Sequence, residues 1–429
     1  MIKMIRIINI IIISLFLCHN LFADSNLTIG KIEERTPITS PIVEFNSELD
    51  SYPDPFPDDQ IILTINADNF MEYKDSYLTS GQIKMFETYP NTFKMNIYPS
   101  RRSCAVPPEV IELTDNNALL IDDGEGIEGI VGSIPFPNPT EALHHVWNHI
   151  LRYRGVEIYG ASPFYIINPD GTRTYGAGEA IAKNYWNPFV RDEKKGLQGM
   201  LMTKVTHPPR LADASTLVIE SLNAFKTPRK AWVYNPGTRR VRRAPDITYD
   251  YKPSASQGLT TVDQVDGFNG AKDRYNWSDL GTQSRLMPYN AYKFHETEIE
   301  EVLTPYHVNQ DYLRYELVNV NVVKATLKED KRHIIPERIM YFDTDSHNML
   351  VEETFDDQSN LIAYREFPII NFYDQPMCLS IHSATYDFAT RRYQLQSVRS
   401  TDIPKVQWRL NKPHDEKMFT PEGLKRFAR

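Results

Sequence analysis

The sequence predicts a mainly β protein with some α-helix (α+β), and three observations support this class. The chain contains 24 tyrosines and 20 phenylalanines, and these residue types favour strands. From about residue 215 onward, strand-like segments alternate with short polar breaks. Before that point, one segment has the periodicity of an amphipathic helix. Because 41% of the 429 residues are hydrophobic, the chain can bury a large core.

The first 23 residues have the pattern of a secretory signal peptide. Lys3 and Arg6 precede an apolar run over 7–17, and the small Ala23 follows a few polar positions later. The run is shorter than the roughly 20 apolar residues that a membrane-spanning helix needs. A lipoprotein would use Cys18, but the residue before it is a large leucine. We therefore expect export, cleavage near Ala23 and a soluble mature protein.

Charge and cysteine content limit the possible partners. The formal net charge is −9, and removal of the first 23 residues takes away two positive charges and leaves −11. This balance disfavours nucleic acid as a partner. Cys104 and Cys378 remain in the exported chain, where they either form one disulfide or stay two separate buried thiols.

We expect an extended, proline-rich and acidic arm over 24–60 and a single large domain over 61–429.

The clearest helix signal predicts a helix over 139–153. Asn138 is the expected N-cap, Pro139 occupies the first helical position, and Glu141 completes a capping box. The apolar residues recur at helical spacing and predict one buried stripe. This stripe consists of Leu143, Val146, Trp147, Ile150 and Leu151.

The same helix carries His144, His145 and His149. His145 and His149 lie one turn apart, but no glutamate follows the first of them as in zinc proteases, and no third ligand is apparent. We interpret the three histidines as polar-face or hydrogen-bonded residues and predict no metal and no cofactor. The sequence also lacks a nucleophile elbow, a P-loop and a dinucleotide-binding glycine pattern, so we predict no enzymatic activity.

The second half of the chain reads as strands and turns. The segment AWVY is followed by Asn235-Pro236-Gly237, which favours a type II turn. Short polar breaks separate four further segments, a pattern typical of an antiparallel meander with one face on an apolar core. These segments are YELVNVNVVKATLK, RHIIPERIMYFD, MLVEETFD and LIAYREFPIINFY. No fixed-length repeat is visible, which disfavours a propeller or a solenoid.

Four arginines lie within five positions: Arg239, Arg240, Arg242 and Arg243. In a strand the run splits into two pairs on opposite faces. We interpret the arginines as ion-pairing partners of nearby carboxylates, because like charges this close repel each other. The available carboxylates are Asp246, Asp250, Asp263, Asp266, Asp273 and Asp279. Alternatively, one pair lies at a cavity mouth and binds an anionic head group, since the guanidinium fork suits phosphate or carboxylate.

Several stretches rich in proline and aromatic residues either fix corners of the fold or line an apolar cavity. They are VPPEV (106–110), IPFPNP (134–139), YWNPF (185–189) and MPYNAY (287–292). Under the cavity alternative, the candidate ligand-binding residues are Arg239, Arg240, Arg242, Arg243, Trp147, Trp186, Phe189, Trp232 and Tyr289.

Several blocks together resemble the family called domain of unknown function 1329 (DUF1329), secreted proteins of Gram-negative bacteria. The blocks are YPNTFKMNIYPSRRS, ALHHVWNHILRYRG, AWVYNPGTRRVRRAP, YDYKPSASQGLTTVDQVDGFNGAKDRYNW, MPYNAY and RHIIPERIMYFDTD. The resemblance covers roughly residues 60 to 415, and the blocks RRVRRAP and FNG-x-x-DRYNW are its most specific parts. His347 departs from the pattern, which leads us to expect a tryptophan after DTDS.

This resemblance implies a curved antiparallel sheet that forms an incomplete barrel plugged by helices, similar to the periplasmic lipoprotein-localisation carriers. The helix over 139–153 would belong to the plug. The resemblance further implies a non-enzymatic periplasmic carrier of a lipid or another hydrophobic molecule. Such a carrier would work with an inner-membrane exporter of the resistance-nodulation-division class and with the outer membrane. Two alternatives remain: an interaction protein of a membrane complex that carries no ligand, and a metal-dependent hydrolase that uses His145 or His149.

Overall fold

The computed structural model describes residues 32, 34–38, 52–114, 117–121, 123–161, 163–186, 196–244, 249–380, 382–396, 409–410 and 414–429. The predicted cleavage site near Ala23 and the candidate residue Phe189 lie outside these residues, as does Asp246. Within the described residues, no helix is long and apolar enough to cross a membrane.

The α-helices of the described residues are short. They are α1 (Ser80–Thr88), α2 (Pro108–Glu112), α3 (Ala142–Leu151), α4 (Tyr292–Glu296), α5 (Ile299–Val302) and α6 (Pro421–Phe427). Single 3-10 turns lie at Phe70–Glu72, Pro209–Leu211, Ser254–Ser256, Val262–Gln264, Lys272–Arg274 and Glu416–Met418.

Strands form most of the regular structure. They are β1 (Leu63–Ile65), β2 (Met95–Tyr98), β3 (Leu119–Leu120), β4 (Ile127–Glu128), β5 (Glu157–Ala161), β6 (Phe164–Ile167), β7 (Arg173–Asn184), β8 (Leu197–His207), β9 (Ser215–Ser221), β10 (Lys230–Asn235), β11 (Arg240–Arg243), β12 (Tyr275–Pro288), β13 (Tyr315–Leu327), β14 (Glu337–Asp343), β15 (Met349–Phe355), β16 (Leu361–Glu366), β17 (Ile370–Phe372), β18 (Met377–Leu379), β19 (Ser383–Asp387), β20 (Tyr393–Gln396) and β21 (Arg409–Leu410).

One curved sheet contains 17 of these strands. Its strands follow the order β12, β13, β14, β15, β16, β19, β20, β6, β7, β8, β9, β10 and β11, and every neighbouring pair in this series is antiparallel. Among the described residues, the two outermost strands β12 and β11 pair on one side only, so the sheet does not close into a barrel. The predicted α+β class with an incomplete barrel is confirmed.

The predicted meander is present as β13 to β16, in which each strand pairs antiparallel with the next. A turn joins β10 to β11 in a hairpin that pairs Asn235 with Arg240, as predicted. The predicted type II geometry is wrong, because the positive φ lies at Arg239 (54°) and not at Gly237. The side-chain oxygen of Asn235 accepts a hydrogen bond from the Thr238 N–H at 3.0 Å, which stabilises the turn.

The two faces of the sheet are covered by different elements. We call the inner face the one that carries Met340, Glu352 and Arg365, and the pairing register continues this face through β19, β20, β6 and β7 to Leu201 and Val218. Helix α3 packs on the inner face near β12 and β13. Helix α1 packs on the opposite, outer face at β16, and α6 covers the outer face of β9 to β11.

Helix α3 begins three residues later than predicted and ends two residues earlier. Glu141 is the N-cap, and the ring nitrogen Nδ1 of His144 accepts hydrogen bonds from the backbone N–H groups of Thr140 at 3.0 Å and Glu141 at 3.3 Å. Glu141 and His144 thus form the capping box, so the helix begins at Ala142 and not at Pro139. At the other end, Arg152 already has an extended backbone.

A disulfide joins Cys104 to Cys378 with an S–S distance of 2.03 Å. It links the segment before α2 to strand β18, across 274 residues of sequence. Of the two alternatives for these cysteines, the structure contains the bonded pair.

Tyrosines and one carboxyl group form a buried cluster on the outer face. Glu366 is fully buried, and its Oε1 atom accepts hydrogen bonds from the hydroxyl groups of Tyr315 at 2.8 Å and Tyr364 at 2.7 Å. No described cation pairs with Glu366, and burial raises the pKa of its carboxyl group to about 7. The folded protein therefore holds the proton of Glu366 more tightly than the unfolded chain does.

This raised pKa predicts that the substitution Glu366→Gln increases the free energy of unfolding, relative to wild type, by an amount that depends on pH. The stabilisation from the protonated carboxyl group is complete below the ordinary pKa of 4.5 and is lost as the pH rises through about 7. Glutamine stays neutral at every pH. The free energy of unfolding of Glu366→Gln, relative to wild type, should therefore rise between pH 5 and pH 8 by on the order of 2 kcal/mol.

Urea unfolding of both proteins at pH 5 and pH 8 measures this difference. Glu87→Gln is the control, because Glu87 is exposed and lies beside Lys84 on the surface of α1. A difference between Glu366→Gln and wild type that is the same at both pH values would contradict the assignment.

Candidate ligand-binding cavity

A cavity of about 320 Å³ lies on the inner face, between the sheet and the elements that cover it. Strands β5, β7, β8 and β9 form its floor, and the end of α3 together with residues 262–269 forms its roof. This volume is at the lower end of the roughly 300 to 1,000 Å³ found for small-molecule sites. The cavity is therefore the candidate functional site.

The floor is hollow because its side chains are small. The inner-face positions of β7 near the cavity are Gly178, Ala180 and Ala182. On β8, a Cβ atom at Gly199 would lie 2.9 Å from the carbonyl oxygen of Lys183, so this position does not accept a side chain without rearrangement. Strand β5 contributes Gly160. Larger residues at these positions would fill the space between sheet and roof.

The apolar part of the floor crosses four neighbouring strands. The pairing register places Ile158, Ala182, Leu201 and Val218 side by side on the inner face. Three strand spacings of about 4.8 Å give this row a length of roughly 14 Å. An apolar row of this kind suits the chain of an elongated hydrophobic ligand.

Residues 261–270 contain the part of the roof that does not come from α3, and we call them the roof segment. Its Asp263 forms an ion pair with Arg338 of the inner face and lies 3.1 Å from Nε2 of His333. These two partners hold the pKa of Asp263 down at about 2, although burial alone would raise it. Asp263 thus remains ionised and ties the roof segment to β14.

Glu352 extends this ion pair into a buried network. Its two carboxylate oxygens lie 3.0 Å from Nη1 of Arg338 and 2.6 Å from Nη1 of Arg365. The roof segment joins through Gln264, whose amide donates to Glu352 at 2.8 Å and whose backbone carbonyl accepts from Arg365 at 2.9 Å. All these side chains are almost fully buried, so the roof segment has one fixed height above the sheet.

Asp266 connects the roof segment to the end of α3. Its carboxylate accepts from Nη2 of Arg152 at 2.6 Å and also pairs with Arg154. The two guanidinium groups hold the pKa of Asp266 far below its usual range, although desolvation alone would raise it. Both α3 and the sheet therefore position the roof through ionised side chains.

His149 reinforces the same junction as a neutral ring. Its Nε2 donates to the carbonyl of Asp266 at 2.8 Å, and its Nδ1 accepts from the Met349 N–H at 3.1 Å. Burial lowers the pKa of this ring to about 3. His145 lies 3.5 Å from Asp279. His144 and His149 thus form hydrogen bonds, whereas His145 and His149 are buried and do not lie on a polar face. Within the described residues, no three His, Cys, Asp or Glu side chains are placed to hold a metal.

Within the part of the chain that the structure describes, the run of four arginines forms none of the expected ion pairs. Arg239, Arg240, Arg242 and Arg243 are exposed, and none of them pairs with a described carboxylate. Asp263, Asp266, Asp273 and Asp279 bind other partners, namely Arg338, the pair Arg152 and Arg154, Lys331, and His145. The expectation was wrong for these four aspartates, because their partners lie far away in sequence and only the fold brings them together; Asp246 lies outside the described residues.

The exposed arginines lie on β11 or beside it, at one edge of the sheet. An edge strand presents unpaired backbone groups, and charged side chains there oppose pairing with a second chain. This position explains why the run tolerates four like charges without carboxylates between them, since water solvates each guanidinium group.

The structure does not bring the candidate ligand-binding residues together. The described members of the set do not line the cavity over 262–269 and β5 to β9. Trp147 packs under the Nζ atom of Lys272, 4.4 Å from the ring centre, and Trp186 donates to the carbonyl of Leu197 at 2.7 Å. Tyr289 bonds to Asp343 at 3.1 Å, and Trp232 packs with the α6 core. Their role in ligand binding stays a prediction.

Sequence reasoning missed the residues that do line the cavity. The apolar floor of Ile158, Leu201 and Val218 and the arginines Arg154 and Arg229 were not singled out. The segment GAGEAIA in β7 contained the signal, because a small residue occupies every second position, and these positions all lie on one face of a strand. Such alternation indicates a face that packs against no large neighbour.

Comparisons with known proteins point to one family. The model of the family described as "Protein of unknown function (DUF1329)" matches residues 64–425. The uncharacterized protein PA3922 of Pseudomonas aeruginosa is 35% identical over 380 residues, which cover 86% of this chain and 82% of that protein.

Two solved structures are distantly similar. One is a domain thought to belong to an outer-membrane lipoprotein-sorting protein of Vibrio parahaemolyticus, with 14% identity, a TM-score of 0.46 and coverage of 66% of this chain and 98% of that chain. The other is a DUF1329 family protein of Desulfovibrio piger, with 11% identity, a TM-score of 0.43 and coverage of 63% and 92%.

The buried network predicts a large loss of stability for Glu352→Ala. This substitution leaves the guanidinium groups of Arg338 and Arg365 buried without their shared carboxylate, which costs about 3 to 5 kcal/mol. Glu128→Ala removes a carboxylate from the exposed pair with Lys226 and should cost less than about 1 kcal/mol. Urea unfolding of both variants provides the comparison. Equal small losses would show that the network does not hold the roof segment.

Proposed function

The chain belongs to the DUF1329 family, and we propose that it is a non-enzymatic periplasmic carrier or binding protein for a lipid or another hydrophobic molecule. The observation that carries this proposal is the cavity on the inner face, whose floor is a row of small and apolar side chains. Apolar pockets with few polar groups are the usual sites for small hydrophobic ligands.

The size of the cavity supports a ligand with one chain rather than several. A volume of about 320 Å³ suits a single small amphiphile. The roof segment restricts further expansion, because its ion pair with Arg338 and its backbone hydrogen bond from Arg365 are buried and would have to break. We therefore propose a small amphiphile as cargo.

The proposal includes the partners that the family resemblance implies. An inner-membrane exporter of the resistance-nodulation-division class would supply or accept the ligand, and the outer membrane would be the other terminus. The resemblance alone supports this part, and the predicted signal peptide supports the periplasmic location.

The two alternatives differ in what they need from the structure. A metal-dependent hydrolase would need free ring nitrogens. Those of His149 are both occupied by backbone groups, so of the two candidate histidines only His145, whose Nδ1 has no partner in the described residues, could contribute a ligand. An interaction protein without a ligand would need no cavity, and the hollow floor beneath the roof segment gives the carrier the advantage.

Binding of a neutral apolar dye tests the proposal. Protein freed of bound lipid by solvent extraction should enhance the fluorescence of N-phenyl-1-naphthylamine with one saturable site. The substitution Ala182→Phe fills the floor and should weaken this binding at least tenfold. Thr174→Leu, at the exposed start of the same strand, is the matched control and should leave binding unchanged.

Circular dichroism and thermal unfolding establish that both variants fold. Absence of saturable dye binding in the wild type would contradict the carrier proposal. Binding that survives Ala182→Phe would place the hydrophobic site elsewhere in the protein.

A further inference from the structure

Arg229 lies at one end of the apolar floor. It precedes β10, opposite Glu220 of β9, one step beyond the cross-strand pair Ala231 and Val218. Val218 and Glu220 are two residues apart on the same face, which places them about 7 Å apart along the strand. The floor therefore passes directly from an apolar row to a charged pair, and Arg229 and Glu220 both line the cavity.

The guanidinium group of Arg229 has unused hydrogen-bonding capacity. Its side chain is only 9% exposed, and its Nη2 atom pairs with Glu220 and donates to the Asn269 carbonyl at 3.2 Å. Its Nε and Nη1 atoms are buried and have no hydrogen-bond partner in the described structure. Tyr249 covers one face of the group, 4.1 Å from the ring centre to the guanidinium carbon. Buried donors of this kind are costly unless a partner satisfies them.

The charges around the cavity favour an anion. Asp266 faces two guanidinium groups, those of Arg152 and Arg154, so this part of the wall carries an excess of positive charge. The Nε atom of Arg154 is also buried without a partner, and Arg154 lines the same cavity. A positive wall inside a chain of net charge −9 is a local feature that an anionic ligand would use.

We propose that the cavity binds a single-chain amphiphile with a carboxylate head group, which Arg229 receives while the chain lies along Ile158, Leu201 and Val218. This inference rests on the proposed function and specifies its ligand class. Once the side chain of Arg229 turns toward the cavity, its unpartnered donors form charge-assisted hydrogen bonds to the carboxylate, which are stronger than neutral ones.

A singly charged head group fits better than a doubly charged one. Glu220 already shares the guanidinium group of Arg229, and its own negative charge would repel a dianion such as a phosphate monoester. One carboxylate adds only a single negative charge beside the guanidinium group, and the ammonium group of Lys272 interacts with Glu220 at the same end of the cavity. A chain that follows the floor row of roughly 14 Å matches an acyl chain of moderate length.

The test compares cis-parinaric acid with its methyl ester, which differ in charge but share the fluorescent chain. At pH 8 the wild-type protein should bind the acid at least tenfold more tightly than the ester. The double substitution Arg229→Gln with Glu220→Gln removes both charges and keeps polar side chains, so no buried charge is left unpaired. It should abolish the preference for the acid while dye binding to the apolar floor persists.

Lys226→Gln is the control, because it removes one exposed positive charge three residues before Arg229. This variant should keep the preference of the wild type. Equal binding of acid and ester by the wild type would overturn the inference but leave the carrier proposal standing. Absence of binding by the acid, the ester and the neutral dye would overturn both. A preference that survives the double substitution would show that Arg229 does not receive the head group.

Discussion

The buried ion pairs of the roof segment are the constraint on which the inner face depends. Asp263 and Asp266 are three residues apart, yet the first is bound to the sheet through Arg338 and the second to the end of α3 through Arg152 and Arg154. The roof segment is thereby fixed at two points, one on each side. Because the pair of Asp263 with Arg338 is buried, movement of the segment would separate these charges at a cost of several kcal/mol.

The cavity follows from this fixed height together with the small residues below it. Packing normally fills an interior to the density of an organic crystal, so an apolar roof would settle onto Ala180 and Ala182 and close the gap. Ion pairs and charge-assisted hydrogen bonds have preferred distances and directions, and they hold the roof segment where Arg338, Glu352 and Arg365 reach it. The hollow is therefore a consequence of directional contacts above a floor without large side chains.

Local patterns predicted most of the fold, and long-range contacts decided most of the site. The meander of β13 to β16, the turn at Asn235 and the stripe of α3 depend on residues close in sequence, so period and turn chemistry suffice to find them. The partners of Asp263 and Asp266 are as far as 75 and 114 residues away. Proximity in sequence suggested the arginines at 239–243 as their ion-pair partners instead. The start of α3 was predicted too early, because the capping box forms between Glu141 and the ring of His144.

The exposed and the buried arginines have different roles because their surroundings differ. The arginines of β11 face water at a sheet edge, where hydration offsets their mutual repulsion and the charge opposes chain-to-chain pairing. Arg338, Arg365 and Arg229 have lost that hydration and need carboxylates. Arg338 and Arg365 share Glu352 and are tied to the roof. Arg338 has one buried nitrogen atom without a hydrogen-bond partner in the described residues, whereas Arg229 has two, Nε and Nη1, and we propose that a molecule from outside the chain uses these two.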